Sequence, residues 1–265
     1  MLTGHFRNPD WMPESPPVIV QRMLPLHALI FDVDGTLADT ERDGHRPAFN
    51  HAFADLGLDW HWDERLYGEL LAITGGKERI RHYAARQAPA LAARPEFEVL
   101  VRDLHAAKTR HYLRLVDSGS LPLRPGVAAL IQHARQRGLR LAIATTTTPE
   151  NVTALLHATL GPDAPGWFEV IGAGDIVANK KPAPDIYRWV LDRLALPADN
   201  CLAIEDSANG LDAARTAGLR CLVTPNDYTA GDDFSSAWRV LADLREVDLD
   251  AIAGPTISNL PQISG

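Results

Sequence analysis

The chain has 265 residues, 46% apolar and 23% charged, which is enough to bury a full core as one large or two modest domains. No apolar run approaches the about 20 residues of a membrane span, and residues 1–25 have neither the layout of a secretory signal nor the Arg- and Ser-rich text of a transit peptide. A net charge of −8 speaks against a nucleic-acid partner, so an anionic ligand would have to be drawn by a few local cations.

Residues 1–25 carry Pro13, Pro16, Pro17 and Pro25 without helical or strand period, and read as a loosely ordered extension. A short apolar run then predicts a buried strand over about 28–33. After Ala38-Asp39-Thr40-Glu41, helical spacing sets in with Ala48, Phe49, Ala52, Phe53 and Leu56, closed by Gly57. Further helices are expected at 64–73, 76–86 and 97–116. Nothing between 41 and 118 reads as a strand, so an all-helical insert directly follows the first strand.

The stretch from Asp117 to Pro122 reads as a loop and hinge. From there strands and helices alternate. A helix begins at Pro125-Gly126 and stops at Gly138, and a strand covers 139–144. Pro149 opens the next helix with Thr148 as its cap. A strand follows over 168–171, then a helix from Pro184. The strand 201–204 is followed by a helix capped by Ser207 and ending at Gly218, and 219–223 is another strand. Residues 238–252 give no clear pattern, and 251–265 read as a tail. The alternation predicts an α/β fold: a Rossmann-like parallel-sheet core over 26–40 and 119–250, interrupted by the helical insert 41–118. Cys201 and Cys221 lie beside apolar runs and are expected to be buried thiols in a reducing cytoplasm.

Four short strings carry the chemistry. In Phe31-Asp32-Val33-Asp34-Gly35-Thr36-Leu37, two carboxylates sit where a parallel strand ends, the place where open α/β sheets bind ligands. Such carboxylates repel one another unless a cation joins them, and Mg²⁺, a hard ion, takes oxygen ligands. Alone, the pair reads rather as a strand ending in a solvated Asp-turn. Leu141-Ala142-Ile143-Ala144-Thr145 runs into three more threonines before a helix N-terminus, which is either a phosphate cradle or β-propensity followed by a cap. In Asn179-Lys180-Lys181-Pro182-Ala183-Pro184-Asp185, the prolines stiffen what would otherwise be a solvated lysine pair. In Leu202-Ala203-Ile204-Glu205-Asp206-Ser207, two acids again follow a buried strand, a pattern that the helix dipole also favours.

Together, and in this order, the strings resemble the haloacid dehalogenase superfamily of phosphotransferases. More narrowly they resemble its branch of small phosphosugar phosphatases and mutases that includes the CbbY-type proteins, over roughly residues 26–225. The resemblance implies Asp32 as nucleophile and Asp34 as general acid and base, and the latter role calls for a raised Asp34 pKa. It implies Thr145 and Thr146 as phosphate ligands, and Lys181 rather than Lys180 as the charge partner of Asp32. Mg²⁺ would be held by Asp32, the Asp34 backbone carbonyl, Asp206 and, directly or through water, Glu205. The insert would be a cap hinged near 38–40 and 118–121. Its Glu41, His45, Arg46, Lys77 and Lys108 are candidate substrate contacts. Lys77, with Thr147 and Thr148 of the core, remains free for a second phosphate.

One residue departs from the pattern. Mutases of this branch carry a histidine where this chain has Gly44, and His45 follows. One helical residue is a turn of about 100°, so His45 need not reach the same place. The expected function is a Mg²⁺-dependent phosphatase of a small phosphosugar, such as the ketopentose bisphosphate xylulose 1,5-bisphosphate, acting as a monomer or weak dimer. The rivals are a phosphosugar mutase of the β-phosphoglucomutase type and a non-catalytic phosphosugar sensor.

Overall fold

The computed structural model describes residues 25–253. The expected extension up to residue 24 and the tail from 254 lie outside the described residues. From β1 (Ala28–Phe31) the chain enters a π-helical turn at Glu41–His45 and then five helices: α1 (Arg46–Asp55), α2 (Glu64–Leu70), α3 (Gly76–Gln87), α4 (Pro89–Ala92) and α5 (Phe97–Asp117). It continues as α6 (Val127–Gln136), β2 (Arg140–Ala144), α7 (Pro149–Leu160), β3 (Phe168–Gly172), α8 (Asp185–Leu194), β4 (Cys201–Glu205), α9 (Ala208–Thr216) and β5 (Arg220–Val223). A two-residue strand, β6 (Arg239–Val240), and a short helix, α10 (Leu249–Ala253), close the described chain.

The six strands form one parallel sheet in the order β3-β2-β1-β4-β5-β6. Ala28 of β1 lies opposite both Arg140 and Cys201. The chain builds outward from β1 through β2 and β3, then returns to the other side of β1 to lay down β4. This reversal leaves a crevice beyond the carboxyl ends of β1 and β4, and ligands of open α/β sheets bind in such a crevice.

Period-two alternation sorts the strand residues onto two faces. Leu29, Phe31, Leu141, Ile143, Leu202 and Ile204 pack with α6 and α7 in one buried cluster. Ala28, Ile30, Ala142, Ala144 and Ala203 pack with α8 and α9 in another. The second face is built of small residues, which lets those helices sit close. A third cluster belongs to the helical segment, where Phe49, Phe53, Trp62, Tyr67, Ile80 and Leu104 are buried together. Asn50 clamps the loop that carries Trp62, donating from Nδ2 to its carbonyl (2.9 Å) and accepting at Oδ1 from its N–H (2.8 Å). The two linkers of the segment run side by side, with Ala38 bridging Leu123.

Three local details differ from the sequence reading. β6 falls in the stretch without a clear pattern, because two residues are too few for an alternation to show. Thr148 sits at the α7 N-cap with extended backbone, but its hydroxyl makes no capping bond to the helix. Ser207 does cap α9, accepting from the Gly210 N–H at 3.2 Å. The π-helical turn before α1 carries no signal in residue type. Among the described residues no helix is long and apolar enough to cross a membrane, and both cysteines are free and buried.

Candidate active site

The crevice between β1 and β4 collects the acids of the first and fourth strings. Asp32 follows β1 directly, and its N–H bonds to the Ile204 carbonyl at 3.0 Å, so the backbone ladder itself aims the side chain. Asp32, Glu205 and Asp206 are all buried, and one oxygen from each lies within 4.8 Å of the others. Gly35 turns the chain between them with φ +87°. A Cβ there would run into Asp206 Oδ2, so the turn tolerates no side chain.

Lys181 is the cation of this cluster. Its Nζ donates to Asp32 Oδ1 (2.6 Å), Glu205 Oε1 (2.7 Å) and the Ala144 carbonyl (2.8 Å), which uses all three of its protons. Lys180 instead reaches Glu78 and Asp175, at 3.2 and 2.9 Å. The Tyr187 hydroxyl also donates to Glu205 Oε1, at 2.5 Å. Glu205 Oε2 accepts from the Asp206 N–H, at 3.4 Å.

One lysine among three carboxylates leaves negative charge in excess. Burial pushes the Asp32 carboxyl up to about 8, with Glu205 and Asp34 adding to the rise and Lys181 opposing it. Burial, then Asp32 and Glu205, raises Asp206 well above the carboxylate range. A divalent cation would balance such a cluster, and its donors are all hard oxygens. The residues present thus fit a Mg²⁺-type ion.

Asp34 behaves differently. Burial pushes its pKa up, but His45 and Thr40 outweigh it and hold the carboxyl well below its usual range. Thr40 Oγ1 donates to Asp34 Oδ1 at 2.5 Å, and His45 Nε2 lies 2.9 Å from the same oxygen. The expected upward shift on Asp34 is therefore absent, and the raised acids of the cluster are Asp32 and Asp206. The reason is the histidine. A π-helical turn takes up one residue more than an α-turn, and this rotation brings His45 onto Asp34 despite its shifted place in the sequence. Tyr112 stacks on the imidazole with ring centroids 4.2 Å apart.

At the end of β2, Thr145 and Thr146 line the cleft, and Thr145 Oγ1 accepts from the Thr147 N–H at 3.3 Å. Thr147 and Thr148 line its inner end with His45 and Lys108. Of the helical-segment candidates, Glu41 lines the cleft and accepts the Tyr67 hydroxyl at 2.5 Å. Lys108 is buried over the rings of Phe49 and Tyr112, and burial pulls its pKa down to about 8. Arg46 pairs with Glu64 at 3.5 Å and lines neither part of the cleft. Lys77 lines neither part as well. It donates to Asp175 at 2.7 Å, beside Lys180. Gly75, at φ +99°, lets Lys180 pass, since a Cβ would meet its Nζ at 2.9 Å.

The cation in that place is Arg79, which the sequence reading missed. It is buried, donates from Nε to the Leu70 carbonyl (3.1 Å) and from Nη1 to the Tyr67 hydroxyl (2.9 Å), and lines both parts of the cleft. The cavity over the acid cluster holds about 90 Å³. A roomier one of about 530 Å³, beyond Asn226 and Tyr228, lacks the clustered acids.

A family model of haloacid dehalogenase-like hydrolases matches residues 26–218, a span that contains all four strings. Protein CbbY (plasmid) of Cupriavidus necator is 55% identical over 219 residues, 83% of this chain and 86% of that protein. The chain belongs to the haloacid dehalogenase-like hydrolases, in their CbbY-like phosphatase branch. Solved structures agree with the fold of this hydrolase. CbbY from Rhodobacter sphaeroides in complex with phosphate matches with TM-score 0.78 and 49% identity, covering 84% of this chain and 96% of that one. A variant of the same protein in complex with xylulose-(1,5)bisphosphate matches with TM-score 0.78 and 48% identity, over 84% and 96%.

Proposed function

We propose that this hydrolase is a Mg²⁺-dependent phosphatase of small phosphorylated sugars, with Asp32 as nucleophile. The observation that carries the reading is the Asp32–Lys181–Glu205 cluster with Asp206 at its edge. Lys181 orients Asp32 through Oδ1, and the second carboxylate oxygen attacks phosphorus as the bond to the sugar oxygen breaks. Thr145 and Thr146 would hold the phosphoryl oxygens, and Lys181, whose three protons go to Asp32, Glu205 and the Ala144 carbonyl, would add its positive charge beside them. Asp34 hands a proton to the leaving oxygen and, in the second half, takes one from the water that opens the aspartyl-phosphate. Asp34 is held ionised in the substrate-free protein, so it would take up the proton that it hands over from solvent once the negative charge of the bound phosphoryl group raises its pKa, with His45 Nε2 orienting it from 2.9 Å. Mg²⁺ would rest on Asp32, Asp206, Glu205 and the Asp34 carbonyl and would supply positive charge toward the phosphoryl oxygens. Phosphate release from an aryl phosphate, with Mg²⁺ and after chelation, tests the reading. Release only with Mg²⁺ is expected, and no release in either condition overturns it.

The raised acids add a pH prediction. Below about 8 the metal-free cluster keeps a proton on Asp32 that the ion must displace. Mg²⁺ affinity is therefore expected to tighten as pH rises from 6 toward 9, with proton release on binding. Calorimetry in buffers of different ionisation enthalpy reads both, and a flat affinity would count against the site.

The helical segment 41–118 would act as the cap. Such a lid would lift to admit a phosphosugar and close to exclude water from the cleft. For the substrate we favour a ketopentose bisphosphate such as xylulose 1,5-bisphosphate, which a variant of the R. sphaeroides relative binds. In this chain Arg79 and Lys108, rather than Lys77, are the cations placed for its second phosphate. The contact between His45 and Asp34 also suits a phosphosugar mutase. A mutase returns the phosphoryl group to a second sugar and releases little phosphate, so the same assay separates the two. The buried free thiols fit a reducing cytoplasm, and the protein would work there as a monomer or weak dimer.

A further inference from the structure

Asp206 is held from a loop that none of the four strings includes. Three residues after β5, Asn226 donates from Nδ2 to Asp206 Oδ2 at 2.7 Å. Its Oδ1 accepts from the Tyr228 N–H at 2.9 Å, and this fixes the amide so that only its NH₂ faces the carboxylate. The other carboxylate oxygen accepts from Thr36 Oγ1 at 3.3 Å. The loop has little freedom. The Asn226 N–H bonds to Thr229 Oγ1 at 3.0 Å, and Arg124 donates to the carbonyls of Thr224 (2.8 Å), Pro225 (2.7 Å) and Gly35.

The same loop also touches the helical segment. The Tyr228 ring lies 6.1 Å from that of Tyr67, centroid to centroid, and rests on Gly68, where a Cβ would come within 3.0 Å of it. Asp227 pairs with Arg42 at 2.6 Å, but both are exposed and the pair contributes little. Residues 226 and 228, joined by a hydrogen bond, thus bind the acid cluster and the cap.

We propose that Asn226 is a positioning residue for Asp206, and that the Asn226–Tyr228 bond transmits the seating of the cap to the metal site. The inference rests on reading Asp206 as a metal ligand. When Tyr228 sits on Tyr67 and Gly68, its N–H holds the Asn226 amide, and Asp206 would be held in place for the ion. When the cap lifts, that hold loosens.

The test is Mg²⁺ binding to the chelator-stripped full chain, read by calorimetry without substrate, alongside thermal unfolding to check the fold. Asn226→Leu is expected to raise the Mg²⁺ Kd by about 10- to 100-fold, as loss of an outer-shell partner does. Tyr228→Leu, which touches no acid, is expected to raise it by about threefold to tenfold. The double variant should bind no more weakly than Asn226→Leu alone, because the route runs through Asn226. If Asn226→Leu does not fold, Asn226→Ala takes its place. An Asn226 variant that binds like wild type overturns the positioning role. Additive effects in the double variant, or an unchanged Tyr228→Leu, overturn the link to the cap. A wild type that binds no Mg²⁺ would instead remove the metal reading itself.

Discussion

Asp32→Asn is expected to lower kcat by about 10⁵-fold while the protein still folds, because it deletes the nucleophile and keeps the shape. The amide oxygen still accepts from Lys181 Nζ, which donates to Asp32 Oδ1 at 2.6 Å, so the cluster keeps its hydrogen bonds. The variant should also be more stable than wild type in the metal-free state at pH 8. The folded-state pKa of Asp32 is raised to about 8 from an ordinary value of 3.8. The folded protein therefore holds a proton that the unfolded chain has lost, and stability falls as pH rises between those values. Asparagine has no charge to bury and escapes that loss. The gain in Tm over wild type should grow from pH 5 to pH 8 and shrink when Mg²⁺ is added. Phosphate release and thermal unfolding in chelator measure the two effects. Turnover within tenfold of wild type would end the covalent mechanism.

Much of this site is visible in the sequence because its parts sit where regular elements end. Asp32, Thr145 and Asp206 each follow a short apolar run closely, and such runs in a βα text are parallel strands whose carboxyl ends share one edge. The placement of Lys181 was legible through the string around it, and the structure joins it to Asp32. The less legible residues depend on tertiary contacts. Asn226 looks like ordinary turn text in Pro225-Asn226-Asp227, and only the return of the β5 loop to β4 gives it a carboxylate. Arg79 sits in a charged helical stretch and reads as solvent-facing until Tyr67 and Leu70 close over it. The contact of His45 with Asp34 depends on a π-helical turn, and periodicity arguments assume 3.6 residues per turn. The direction of the Asp34 shift followed the same residue, since a carboxylate neighbour and a histidine neighbour act with opposite sign.

Arg79→Ala is expected to discriminate between substrates. On a ketopentose bisphosphate it should lower kcat/KM by about 30- to 1000-fold, equivalent to about 2–4 kcal/mol, the loss typical of a truncated buried charge contact. On the corresponding monophosphate the loss should stay below about tenfold, because what is disturbed is the contact of Arg79 with Tyr67 and Leu70 and its longer pairing with Glu41, at 3.9 Å. The guanidinium is buried and faces the cleft, so a phosphate bound there would be held in a dry, forked contact. Part of the loss should appear in kcat, since binding the remote phosphate helps seat the cap. Lys77→Ala should behave otherwise. Its ammonium pairs with Asp175 at 2.7 Å, and the two side chains are 29% and 57% exposed, so screening leaves that pair little energy. A loss of about threefold or less, equal on both substrates, is expected for Lys77→Ala. Lys108→Ala should resemble Arg79→Ala, because the buried ammonium has no carboxylate bonded to it among the described residues and would regain full charge beside a phosphate. Steady-state kinetics on both substrates with the three variants closes the comparison. If Lys77→Ala shows the bisphosphate-selective loss and Arg79→Ala costs the same on both substrates, the second phosphate lies at the Lys77–Asp175 edge of the cleft instead.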